Sequence, residues 1–190
     1  MGVDVFLGHA EFSGSNTVLI NGKTLNFKKA CIATGGRPLI PQIEGLQNIK
    51  YCTSDSIFNL TELPKNMLIV GSGPIGCELG QGFQRLGTNV SILERGNHFL
   101  PREDEDCVVY LQEQMKQDGV NFMFETSPTK FENVGDDIKT TFRNKDGTTF
   151  EKIFDMVLIA CGRVPNVEKL GCDKAGVEFT AHGVTVDENL

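Results

Sequence analysis

Residues 67–94 read MLIVGSGPIGCELGQGFQRLGTNVSILE, and this stretch decides the fold. Met67 to Val70 is an unbroken apolar run, the mark of a strand buried on both faces. Gly71, Ser72 and Gly73 follow, then Pro74, Ile75 and Gly76. Glycine permits a tight turn and lets backbone N–H groups approach a ligand. Proline suits the first helical position, where a missing N–H costs nothing. Ile75, Leu79, Phe83 and Leu86 recur at helical spacing and predict one apolar face, and Gly87 ends the helix. Thr88 to Leu93 reads as a second strand with Glu94 at its end. The unit is strand–helix–strand, with G-x-G-x-x-G at its first turn and an acid about 20 residues further on.

That pattern suits a dinucleotide. A pyrophosphate is anionic, and the free N–H groups and positive dipole end of a helix can hold it without a lysine. The Glu94 carboxylate can accept hydrogen bonds from the adenosine ribose 2′-OH and would repel a 2′-phosphate. NAD(H) is therefore the expected cofactor. Arg95, next in sequence, can reach a phosphate and keeps NADP(H) open. The competing reading is a glycine-rich turn that binds nothing.

Composition bounds the rest. The 190 residues leave room for one large or two small domains. A formal net charge of −7 argues against nucleic acid as a partner. No apolar run is long enough to span a membrane as a helix, and the amino terminus lacks the pattern of a secretory signal. The six cysteines include no C-x-x-C pair, and buried, reduced thiols in a reducing compartment, cytoplasm or organelle matrix, are the expectation. With three histidines and no close ligand pairs, no metal site is expected.

Outward from the central unit, Val3 to Phe12 reads as a strand, and Thr17–Ile20, Asn21-Gly22, Lys23–Phe27 as a hairpin. Ala30 to Ala33 reads as a short strand, Pro38 to Gly45 as a linker, and Thr53 or Ser54 as the cap of a short helix through Leu60. On the other side, acids at 103–106 precede a helix carrying Val108, Leu111 and Met115, with Gly119 ending it. Val120 to Phe124 is the next parallel strand. Lys130–Val134, Ile138–Arg143 and Thr148–Phe154 predict an antiparallel meander, and Met156–Ala160 a further buried strand.

Four blocks in order resemble the FAD-dependent pyridine nucleotide–disulfide oxidoreductases, the group of dihydrolipoamide dehydrogenase, glutathione reductase and mercuric reductase. Gly8-His9-Ala10-Glu11-Phe12 is similar to the family's G-x-A-x-F strand, and Ile32 to Pro38 to its I-A-T-G-x-x-P segment. Gly71 to Gly80 resembles its NAD(P) fingerprint, and Ala160 to Asn166 its A-x-G-R-x-P-N segment.

The resemblance implies an α/β, Rossmann-like NAD(P)-binding domain over 41–163, a parallel sheet with helices plus a three-stranded antiparallel meander. Flanking it would be incomplete FAD-domain pieces, 1–40 and 164–190. The family's FAD-type fingerprint, C-x-x-x-x-C pair and dimerisation domain with its His-Glu pair do not occur in this sequence. The resemblance therefore implies an internal segment of a longer, homodimeric flavoprotein, inactive alone. It implies that Gly71, Gly73 and Gly76 hold the pyrophosphate, that Glu78 lies near the nicotinamide and flavin, and that Gly162 passes close to the nicotinamide end. Ala10, Thr34 and Gly35 match positions lining the FAD site. The alternative is a stand-alone dinucleotide-binding or redox-sensing module without catalysis.

Overall fold

A computed structural model describes residues 2–189. In chain order the elements are β1 (Ala10–Gly14), β2 (Thr17–Ile20), β3 (Lys23–Asn26), β4 (Gly36–Pro38), β5 (Tyr51–Thr53), β6 (Asn66–Val70), α1 (Pro74–Leu86), β7 (Asn89–Leu93), α2 (Glu105–Gln117), β8 (Asn121–Met123), β9 (Thr126–Val134), β10 (Asp137–Asn144), β11 (Thr149–Phe154), β12 (Met156–Ile159), β13 (Arg163–Pro165), β14 (Phe179–Thr180) and β15 (Gly183–Val184). They form two compact units, Pro38–Gly162 and Met1–Arg37 with Arg163–Leu190.

The unit Pro38–Gly162 is built on a five-stranded sheet in the order β5-β12-β6-β7-β8, all of whose pairs are parallel. Side chains of a strand alternate between faces, and the apolar run 67–70 divides accordingly. Met67 and Ile69 join Val90, Ile92 and Leu158 in a core shared with Cys77 of α1 and Val108 and Met115 of α2. Leu68 and Val70 join Leu93, Val157 and Ile159 in a second core, against Phe131, Ile138, Phe142 and Phe154 of the meander β9-β10-β11. The run is continuous because helices cover one face and a second sheet covers the other. This is the α/β architecture that the sequence predicts.

Helix α1 buries part of the expected face: Leu79 and Phe83 pack against the first core. Its buried residues are Gly76, Cys77 and Gly80. Leu86, assigned to the same face, is 69% exposed at the last position of the helix, where Gly87 caps it at φ 108°. The glycines let the helix lie close: a Cβ on Gly80 would sit 2.7 Å from the Ile92 side chain, and one on Gly76 2.1 Å from the Gly71 carbonyl oxygen.

The predicted helix from Thr53 or Ser54 to Leu60 is corrected. Thr53 ends β5, the edge strand paired with β12, and only a 3-10 turn at Ile57–Asn59 follows. The Thr53 N–H is capped by the Ser56 hydroxyl at 3.0 Å, and the Asp55 N–H donates to the Thr53 hydroxyl. These local bonds compete with a helical turn.

In the second unit, β1, β2 and β3 form an antiparallel sheet. The hairpin turns at Asn21 and Gly22, both at positive φ, as a two-residue connection requires. The strand predicted over Val3 to Phe12 begins only at Ala10, which pairs with Ile20, the last residue of β2. Among the described residues, 2–9 pair with no strand, and Val3, Val5 and Leu7 are exposed. Ala30 to Ala33 forms no strand; β4, after it, pairs with β13. Cys31 and Cys107 are exposed, which corrects the expectation of buried thiols for those two; all six cysteines are unpaired.

Candidate functional site

In an open α/β sheet, ligands bind outside the carboxyl ends of the strands, where the strand order reverses. Here the chain steps from β6 to β7 and β8 on one side, then returns to β12 on the other. The reversal lies between β6 and β12. At their carboxyl ends is a cleft of about 620 Å³ lined by Gly71 to Ile75, Glu94, Arg95 and Ala160 to Gly162.

The three fingerprint glycines meet three different demands. Gly71 turns at φ 112°, and a Cβ on it would lie 2.5 Å from the Ala160 carbonyl oxygen of the neighbouring strand end. Gly73 is the N-cap of α1, in extended conformation, and a Cβ on it would meet nothing within 4 Å. The fold itself thus leaves room for a side chain there. Gly76 is required by the Gly71 carbonyl beneath it. No side chain caps the first turn of α1, and Pro74 sits at its start. The first-turn N–H groups are thus left to a ligand or to water.

Glu94 lies on the same cleft, half-buried, just past the end of β7. Its carboxylate accepts from the Ser72 hydroxyl at 2.6 Å and from the Gly96 N–H at 2.8 Å. Arg95 is exposed beside it. Arg102, after the loop 96–101, lines the same cleft and was not among the residues read from sequence as a site. A cation in the loop after the acid-bearing strand is the signal that would have found it.

Glu78 lies elsewhere. It is exposed on α1 and lines an adjoining groove of about 430 Å³ between α1 and α2, with Cys77, Cys107 and Met115. Gly162, at φ 115° with its Cβ position open, is on the fingerprint cleft, and its carbonyl accepts the Leu39 N–H.

Two thiols flank the glycine turn. Burial, and then the Glu78 and Glu94 carboxylates, push Cys77 up to about 12, and its S–H donates to the Ser72 carbonyl at 3.2 Å. Cys161 is raised chiefly by burial, with Arg95 opposing. Both stay protonated near neutral pH. Among the described residues no group of three or more His, Cys, Asp or Glu side chains gathers as a metal site, and no helix is long and apolar enough to cross a membrane.

Ala10, Thr34 and Gly35 belong to the other unit. Ala10 opens β1. The Thr34 hydroxyl donates to the Asn166 carbonyl at 2.7 Å, the Asn166 side-chain amide donates to the Thr34 carbonyl, and the Asn166 N–H donates to the Gly35 carbonyl. Arg37 reaches Asn166 and Glu168 beside them. These bonds tie residues 34–37 to 165–168, so Thr34 and Gly35 carry a structural duty within their own unit.

Comparison with known proteins identifies the family. A family model described as pyridine nucleotide-disulphide oxidoreductase matches residues 1–190. Mercuric reductase from Lysinibacillus sphaericus is 34% identical over 175 residues, covering 92% of this chain and 32% of that protein. Dihydrolipoyl dehydrogenase from Vibrio parahaemolyticus is 32% identical over 193 residues, covering 99% and 40%. The Cu(II) complex of the HOCl-induced flavoprotein disulfide reductase RclA from Escherichia coli superposes with a TM-score of 0.89 at 28% identity, covering 98% of this chain and 42% of that one. The chain thus spans about a third to two fifths of the length of the proteins it matches, and it belongs to the pyridine nucleotide-disulphide oxidoreductase family.

Proposed function

We propose that this chain is the NAD(P)H-binding segment of a longer flavin-dependent disulfide oxidoreductase, within which NADH supplies a hydride to FAD. The observation that carries this reading is the N-terminus of α1. Uncapped N–H groups face a cleft, at a glycine whose Cβ position is open on all sides. Gly71, Ser72, Gly73, Pro74 and Ile75 line the floor that would receive a pyrophosphate, and Gly76, buried against the Gly71 carbonyl, would hold that floor in shape. Gly162, on the cleft, would border the nicotinamide, and Glu78, in the adjoining groove that shares Pro74 and Leu100 with the cleft, would have to reach its carboxamide from that side to orient the ring. In domain terms, 41–163 is the NAD(P) domain. Residues 1–40 and 164–190 are parts of an FAD domain, where Ala10, Thr34 and Gly35 would border the flavin cofactor. The rest of the longer chain, its dimer partner and its final electron acceptor lie beyond these residues. The segment alone would bind NADH weakly and would not turn over disulfides.

Glu94 would select NADH over NADPH. A 2′-phosphate would face the carboxylate and remove a hydrogen bond to a charged group, a loss of about 1.5–3 kcal/mol, or about tenfold or more in affinity. An exposed ion pair with Arg95 would recover about 1 kcal/mol or less. Titrating both cofactors against wild type and Glu94→Ala at two salt concentrations tests this. NADH should bind more tightly, and the variant should narrow the gap, more so at low salt, where Arg95 is less screened. Equal or tighter NADPH binding by wild type would show that the arginines, not Glu94, govern the 2′ position.

A further inference from the structure

Ser72 occupies the first variable position of G-x-G-x-x-G, and the binding reading asks nothing of its side chain. Yet the residue is only 1% exposed. Its hydroxyl donates to Glu94 Oε2 at 2.6 Å, the short distance of a charge-assisted bond. Its carbonyl accepts from the Cys77 S–H and from the Leu100 N–H at 3.3 Å. One residue thus ties the glycine turn, the first turn of α1, the acid at the end of β7 and the loop after it. A carboxylate offers about four lone-pair directions. Ser72 takes one on Oε2 and the Gly96 N–H one on Oε1, which leaves one on each oxygen for a pair of vicinal hydroxyls.

We infer that Ser72 is the positioning residue for Glu94: its buried hydroxyl holds the carboxylate in the one orientation that reads the adenosine ribose 2′-OH. This rests on the proposal that the ribose lies against Glu94. Without the serine hydroxyl, the half-exposed glutamate regains its rotamers and must be ordered again at each binding event, so the 2′-OH contributes less.

The test is calorimetric titration of the full 190-residue chain with ADP and with 2′-deoxy-ADP. Wild type, Ser72→Ala, Glu94→Ala and the double variant are compared, each checked for an unchanged far-UV spectrum and a cooperative melt. In wild type, removing the 2′-OH should weaken binding about tenfold. In Ser72→Ala that factor should fall to about threefold or less, with binding of 2′-deoxy-ADP nearly unchanged. On the Glu94→Ala background, Ser72→Ala should change the factor no further, because the two residues act through one bond. If Ser72→Ala weakens both nucleotides equally, or keeps the wild-type factor, Ser72 only shapes the turn and the inference is overturned. Wild type that binds no ADP, or binds ADP and 2′-deoxy-ADP alike, would instead overturn the ribose reading on which it rests.

Discussion

Two glycines of α1 should respond to alanine with opposite signs. Gly82 is exposed, and a Cβ there meets nothing within 4 Å. Gly82→Ala should therefore return only the helix-propensity difference, a gain of about 0.8–1 kcal/mol. Gly76 stands earlier in the same helix, where an added Cβ would lie 2.1 Å from the Gly71 carbonyl oxygen. Ordinary contact begins at 3.4 Å, so the shortfall is 3.4 − 2.1 = 1.3 Å, and the obstacle is backbone that no rotamer change can move. Overpacking of this kind costs about 1–3 kcal/mol or more. With a main-chain clash the upper end, about 3 kcal/mol, applies, and after the propensity gain of about 1 kcal/mol Gly76→Ala should lose about 2 kcal/mol or more. Urea denaturation measures both: the midpoint should rise for Gly82→Ala and fall for Gly76→Ala at unchanged slope. A Gly76→Ala protein as stable as wild type would refute the close approach of α1 to the glycine turn, and with it the shape of the cleft floor.

Thr140 lies in the middle of β10 with its side chain fully buried, and its hydroxyl has no hydrogen-bond partner among the described residues. Thr140→Val should stabilise the protein by about 1 kcal/mol, read as a higher urea midpoint, because an unpaired buried hydroxyl is costly. Glu168 is held down to about 2 by the Arg37 guanidinium that donates to it, with its backbone bonds second. A depressed carboxylate pKa means the contribution is present above the unfolded pKa of about 4.3 and is lost as the pH falls towards 2. Arg37→Gln should raise the Glu168 midpoint in a carboxyl NMR titration and flatten that acid loss.

Most of the fold was legible because its signals are local. The apolar run 67–70, the glycine turn, Gly87 and the Asn21-Gly22 hairpin each carry their own backbone instruction, and each element formed where that instruction lies. The misreadings share a different cause. Tyr51–Thr53 is a strand only because β12 offers an open edge, and three residues are too few to show alternation. Val3 to Leu7 has strand-like composition but, among the described residues, no strand opposite it. On α1 Leu79 and Phe83 pack as their spacing implies, but the fully buried positions are two glycines and a cysteine, which apolar periodicity does not reveal. At the candidate site, the glycines and Glu94 could be picked out by spacing. The Ser72–Glu94 bond depends on how the glycine turn meets the end of β7, which no spacing rule encodes, whereas Arg102 carried a signal, a cation in the loop after the acid, that the reading passed over.

The most direct test of the dinucleotide reading is calorimetric titration of NADH into wild type and Gly73→Val, the variant first shown to be folded by its melt. The Cβ position at Gly73 is free of protein atoms, so the fold should tolerate valine, while the side chain would fill the space a pyrophosphate needs. Measurable NADH binding by wild type, abolished in the folded variant, is the expected result. Equal affinity in the two proteins, or no binding by wild type, would mean that the glycine turn is only a turn.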